Sequence, residues 1–184
     1  MPEFKSIQQL SAWMASKGID TKKWKIGSAK SVKDLWAEIA AGESRIQDDP
    51  PLRVVKVVNI VIRSGDTILV EGEQEFGQNQ RRHRGILPSE KLKPGEDCID
   101  AALRGIQEEL QVEPTRVKVI SSSPSPKTVI SESQSYPGLH TKYVIYTVEV
   151  EIEDLPNEDF NTLEISNNHD DPVQKHIWRW RSQA

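Results

Sequence analysis

A single cysteine, Cys98, is found among the 184 residues. No internal disulfide can form, and no Cys or His stands near it at zinc-ligand spacing, so a fold stapled by disulfides or by a Cys-based zinc site is excluded. A reducing, cytoplasmic setting is the expectation. Long apolar runs are absent too. The longest, Val54 to Ile62, is broken by Lys56 and Asn59 and falls well short of the roughly 20 residues that a membrane helix needs. No membrane partner is therefore expected. The first residues mix Glu3, Lys5 and Gln8 with scattered apolar positions, which lacks the apolar centre of a signal peptide and the acid-poor make-up of a transit peptide. An excess of positive charge is also missing. With a formal net charge of -4, the surface as a whole is not a nucleic-acid footprint, and charge has to be read locally. What is present, 36% hydrophobic and 28% charged residues, suffices for one substantial core.

Two amphipathic helices are predicted near the start. Residues 5 to 17 place Ile7, Leu10, Trp13 and Met14 at helical spacing behind Ser6, which forms a capping-box pattern with Gln9. After Ser31, with Asp34 at the capping-box position, Val32, Leu35, Trp36 and Ile39 make a second apolar stripe that Gly42 closes. Tryptophans at that spacing could stack on a ligand ring, but core packing is the favoured reading. Residues 1 to 50 are thus expected to be a helical extension packed on a main domain of residues 51 to 184.

The main domain alternates strands and turns. Val54 to Arg63 is rich in β-branched residues on both faces and predicts a buried strand. Ser64, Gly65 and Asp66 supply a turn, and Thr67 to Val70 the returning strand of a hairpin. Glu73 to Gln80 reads as a polar loop. Val117 to Ile120 is a short strand, Ser121 to Gly138 a long serine-rich loop, Tyr143 to Ile152 a strand, residues 153 to 172 an acidic polar stretch, and His176 to Arg181 a terminal strand.

The stretch with chemical content runs from Leu87 to Val112. From Asp97 onward it predicts a helix with Ile99, Ala102, Leu103, Ile106 and Leu110 on one face. Glu108 and Glu109 lie one turn beyond Gly105, where adjacent carboxylates can share a cation. Magnesium suits such a pair, because it takes oxygen ligands and completes its shell with waters and phosphate oxygens. The plainer reading of the two acids is a solvated helix face.

Spacing favours the cation. Leu87-Pro88, Glu96, Arg104, Ile106, Glu108, Glu109 and Val112 fall in register with the box of the Nudix hydrolases, which the region resembles. The resemblance implies an α/β fold, a mixed sheet sandwiched between helices, and hydrolysis of nucleoside diphosphates linked to another group. It further implies Mg2+ or Mn2+ as cofactor, with Glu96, Glu108 and Glu109 as metal ligands and Arg104 as a catalytic residue. Three positions depart from the family pattern. Glu90 replaces the leading Gly, Gln111 replaces the trailing Gly, and Gly105 replaces the Glu after Arg104, which in the family is a metal ligand and often the base. Arg104 is thereby expected to lose its partner.

Two readings of that loss stay open. In one, Gly105 makes room for a ligand and Glu132, the one carboxylate of the serine-rich loop, acts as base. In the other, the domain is a catalytically impaired binding module for a nucleotide, RNA or protein partner. A third function class is an interaction protein working through its N-terminal helices. Arg81, Arg82, His83 and Arg84 with Lys91 and Lys93 form a basic run just ahead of and within the box. Arg82, Arg84 and Lys91 are candidate phosphate ligands, since Arg grips phosphate bidentately and Lys neutralises it. A solvated loop is the plainer alternative, and a small diphosphate or nucleotide is favoured over RNA as partner. His83, His140, His169 and His176 share no ligand spacing, and Cys98 is expected to be a buried small hydrophobe.

Overall fold

A computed structural model describes residues 2–26, 29–76, 80–123, 125–133, 135–163 and 173–182. In chain order these form α1 (Ile7–Ser16), α2 (Val32–Ala40), β1 (Ser44–Gln47), β2 (Leu52–Ser64), β3 (Thr67–Phe76), β4 (Gln80–Ile86), β5 (Ser89–Lys91) and α3 (Cys98–Leu110). They continue with β6 (Val117–Ser122), β7 (Lys127–Glu132), β8 (His140–Ile152), β9 (Phe160–Leu163) and β10 (Val173–Ser182). The fold is α/β, with a mixed sheet and few helices, as the sequence led us to expect. Among the described residues no helix is long and apolar enough to cross a membrane. His169 and part of the acidic stretch lie outside the described residues.

The chain divides into two compact units. The first holds Met1–Val57, Lys91–Gly95 and Pro126–Ile145. Its helices start as their caps dictate. Ser6 accepts from the N–H of Gln9, while the Gln9 side chain reaches back to the N–H of Lys5 at 2.7 Å. Ser31 and Asp34 exchange both bonds of a capping box. The apolar faces meet in one core made of Leu10, Met14, Trp24, Leu35, Ile46, Tyr136 and Leu139, with Trp13 and Trp36 partly buried against it. The tryptophans are therefore packing residues. Tyr136 and Leu139 come from the serine-rich segment, which also supplies β7, paired with β8 from Lys127↔Ile145 to Glu132↔His140. The expected long loop thus contains a strand, β7, that forms a hairpin with β8. Nearly every β7 side chain is exposed, so no inward apolar row announced it, and backbone pairing along β8 makes the strand.

The second unit holds Val58–Glu90, Glu96–Ser125 and Tyr146–Ala184. Its strands follow the order β6-β8-β2-β3-β10-β9, with β4 on β3. The predicted hairpin is present, with Ser64 opposite Thr67 and Gly65 at φ 56°, as a two-residue turn between twisted strands requires. Buried apolar side chains include Val58, Ile60, Ile62, Leu69, Ala102, Ile106, Val148, Val150 and Trp178. Burying these side chains supplies the favourable term, at about 25 cal/mol per Å² of apolar surface removed from water. Cys98 is half-buried rather than inside.

The expected polar loop at Glu73 is instead the continuation of β3 to Phe76. Glu71, Glu73 and Gln74 are buried because polar side chains of β4 and β10 meet them there. Arg84 Nε lies 2.9 Å from Glu71, His176 Nδ1 lies 2.6 Å from the other Glu71 oxygen, and Arg179 pairs with Glu73. Buried charge is tolerated when paired in this way. Those partners sit on β4 and β10, remote in sequence, so the local pattern of acids resembled a solvated loop.

Candidate active site

Helix α3 positions the box residues. Asp97 caps it, accepting from the N–H groups of Ile99 at 2.8 Å and Asp100 at 2.9 Å. Ala101, Ala102, Gly105, Ile106 and Leu110 are buried along one side. The helix ends at Leu110 because Gln111 turns left-handed at φ 60°, ψ 33°, the conformation that a Gly adopts at this place most readily. Gln111 also donates a 2.8 Å hydrogen bond to the carbonyl of Leu163. Gln111, at the place of the family's trailing glycine, thus takes the left-handed backbone that glycine favours.

Arg104 is the hub of the site. It forks onto Glu96, Nε to Oε1 at 2.9 Å and Nη2 to Oε2 at 3.0 Å. Its Nη1 lies 3.2 Å from Glu90 Oε1 and 3.4 Å from Glu108 Oε2. The hydrogen bond with Glu96 raises the pKa of Arg104; burial opposes this, and the charges of Glu90 and Glu96 reinforce it. Expected to be left without its partner, Arg104 instead gathers three carboxylates. Two of the predicted metal ligands, Glu96 and Glu108, are among them. Glu109 is half-buried on the same helix, and its carbonyl accepts from the Thr162 hydroxyl.

The remaining predicted residues are placed elsewhere. Arg82 and Arg84 lie on β4, where Arg82 donates to Gln74 and Arg84 pairs with Glu71. Lys91 belongs to the first unit and pairs with Glu38 at 2.9 Å and Glu43 at 3.1 Å. Glu132 is also in that unit, accepting from the N–H of Gly138 at 3.1 Å. A cavity of about 250 Å³ between β3, β4 and β10 is lined by His83, Arg84, Arg179 and Arg181 around Gly72, and excludes Arg104 and its acids.

Sequence reasoning passed over Glu90 as a site residue. The available signal was that two departures from the box are opposite in kind, Gly to Glu at position 90 and Glu to Gly at position 105.

Among the described residues no three His, Cys, Asp or Glu side chains are arranged around a metal-sized space. The donor set nevertheless fits a hard divalent cation in its chemistry, being oxygen only. Glu90, Glu96 and Glu108 are gathered around the Arg104 guanidinium, itself a cation. The missing side chain of Gly105 leaves a cradle in the helix that the Glu90 side chain fills.

A model of the NUDIX domain matches residues 53–178, and the chain belongs to that family. Similar solved structures include an Ap4A hydrolase from C. elegans, at 21% identity and TM-score 0.36, covering 70% of this chain and 80% of that one. A NUDIX hydrolase from Nitrosomonas europaea is 19% identical with TM-score 0.38, covering 69% and 71% respectively. A NUDIX-family hydrolase from Clostridium perfringens is 13% identical with TM-score 0.39, covering 69% and 80%. No curated protein matches the sequence. The resemblance read from Leu87 to Val112 is thus borne out at the level of the family.

Proposed function

We propose that this domain hydrolyses a diphosphate that links a nucleoside to another group, using a divalent cation. The observation that carries the reading is the Arg104 hub, which keeps Glu96 and Glu108 close together on one side of α3. Glu96, Glu108 and Glu109 would hold the cation, with Arg104 orienting them. Bound there, magnesium or manganese supplies charge neutralisation for the diphosphate and acidifies a water molecule. Arg84, held by Glu71 at the rim of the basic cavity with Arg179 and Arg181, is suited to gripping a phosphate oxygen.

One observation favours the second reading, a binding module without turnover. Both oxygens of Glu96 are engaged by Arg104, so a cation must compete with a charge-assisted fork. A panel of dinucleoside polyphosphates and nucleoside-diphosphate conjugates, assayed with magnesium or manganese, separates the two. Turnover that falls at least about 10-fold in Glu108→Gln and Glu109→Gln supports the hydrolase. Turnover no greater than that of Glu108→Gln rejects it.

A further inference from the structure

The two most consequential departures from the family box face each other in space. A Cβ built on Gly105 would lie 2.9 Å from the Cβ of Glu90, 3.3 Å from its Cγ and 3.6 Å from Ile60 Cδ1. The Glu90 side chain therefore fills the room that a side chain at 105 would need. Real Cβ atoms do not approach so closely, and the opposing atom is the first carbon of Glu90, fixed by the backbone of β5. It cannot swing away as a side-chain tip could. Glu90 can be a glutamate in this position because 105 is a glycine, and the converse holds equally.

The carboxylate of Glu90 then reaches Arg104. Its Oε1 lies 3.2 Å from Nη1, the same nitrogen that faces Glu108. A carboxylate thus arrives over position 105, beside Arg104, from the strand instead of from the helix. Glu90 and Arg104 are each only 19% exposed, a setting in which a charged side chain is kept by its partners.

We propose that Glu90 supplies the carboxylate that the box lacks at Gly105, completing the acid set with Glu96, Glu108 and Glu109. The inference rests on the metal-dependent reading above. It recasts Gly105 from a lost ligand into the cradle that admits a ligand from β5. Restoring the family glutamate at 105 alone is then the wrong repair, since the new side chain collides with the residue already doing its work. The exchange has to be made at both positions.

The test measures Mn2+ binding by the full chain, through electron paramagnetic resonance or calorimetry, alongside thermal unfolding without metal. The variants are Glu90→Gln, Glu90→Gly, Gly105→Glu and the double exchange Glu90→Gly/Gly105→Glu. Glu90→Gln, which keeps the shape, is expected to weaken Mn2+ binding about 10-fold or more with unfolding unchanged, the scale seen when a residue that supports a metal is lost. Gly105→Glu should lower the unfolding temperature, whereas the double exchange should recover most of the Mn2+ affinity that Glu90→Gly loses. The proposal is overturned if Glu90→Gln binds Mn2+ like the wild type, if the double exchange binds no better than Glu90→Gly, or if the wild type binds no Mn2+. Turnover separates this result from the reading beneath it. Glu90-dependent Mn2+ binding without hydrolysis removes the hydrolase and keeps the acid set, whereas hydrolysis untouched by Glu90→Gln does the reverse.

Discussion

Replacing Gly105 by alanine tests the packing at the centre of the site without adding charge. In an exposed helix interior the change gains about 1 kcal/mol, because Gly loses more backbone freedom on folding. Position 105 is buried in α3, and the new methyl would stand 2.9 Å from Glu90 Cβ. Relieving such a contact means shifting β5 or α3, and overpacking of this kind costs about 1 to 3 kcal/mol. Taking about 2 kcal/mol for the clash and about 1 for the helix, Gly105→Ala should destabilise by about 1 kcal/mol. The unfolding midpoint would then fall by about 2 to 4 °C for a chain of this size. In the Glu90→Gly background the obstacle is gone, and the same alanine should stabilise by about 1 kcal/mol. Urea denaturation of the four proteins gives a double-mutant cycle with a coupling of about 2 kcal/mol. If the alanine stabilises equally in both backgrounds, Glu90 does not occupy the space above Gly105.

Two further predictions concern other parts of the chain. Glu38 is buried with Arg53 at 2.6 Å, Lys91 at 2.9 Å and Lys30 at 3.2 Å. Burial alone would raise its pKa, but the charges of Lys91, Arg53 and Lys30 drive it far below its ordinary value of 4.5. Its stabilisation is therefore complete above that value and declines as pH falls below it. Glu38→Gln should cost about 3 kcal/mol at pH 7, and the gap to wild type should narrow by about 1.4 kcal/mol at pH 3.5 in urea titrations. A gap that is independent of pH would refute the pairing. At the end of α3, Gln111→Val should destabilise by about 2 kcal/mol, because a β-branched residue resists the left-handed backbone, while Gln111→Gly should not. Equal thermal shifts for the two would show that this helix end does not require the conformation.

The sequence by itself determined the elements whose residues repeat at a fixed period or sit beside their own caps. Ser31 with Asp34, the hairpin at Gly65 and the helix beginning after Asp97 are local arrangements, legible because the partner groups are a few residues apart. The spacing of Glu96, Arg104, Glu108 and Glu109 is local in the same sense, and it was enough to point to the family. Only the tertiary structure decided the rest, because the partners come from distant segments. Glu71 and Glu73 look like loop acids until Arg84, His176 and Arg179 reach them from β4 and β10. Tyr136 looks like part of a serine-rich loop until it enters the core with Leu10 and Trp24. Read along the chain, Gly105 marks a missing acid. In space, the side chain of Glu90 lies across it, because two residues far apart in sequence share one volume that only one side chain can fill.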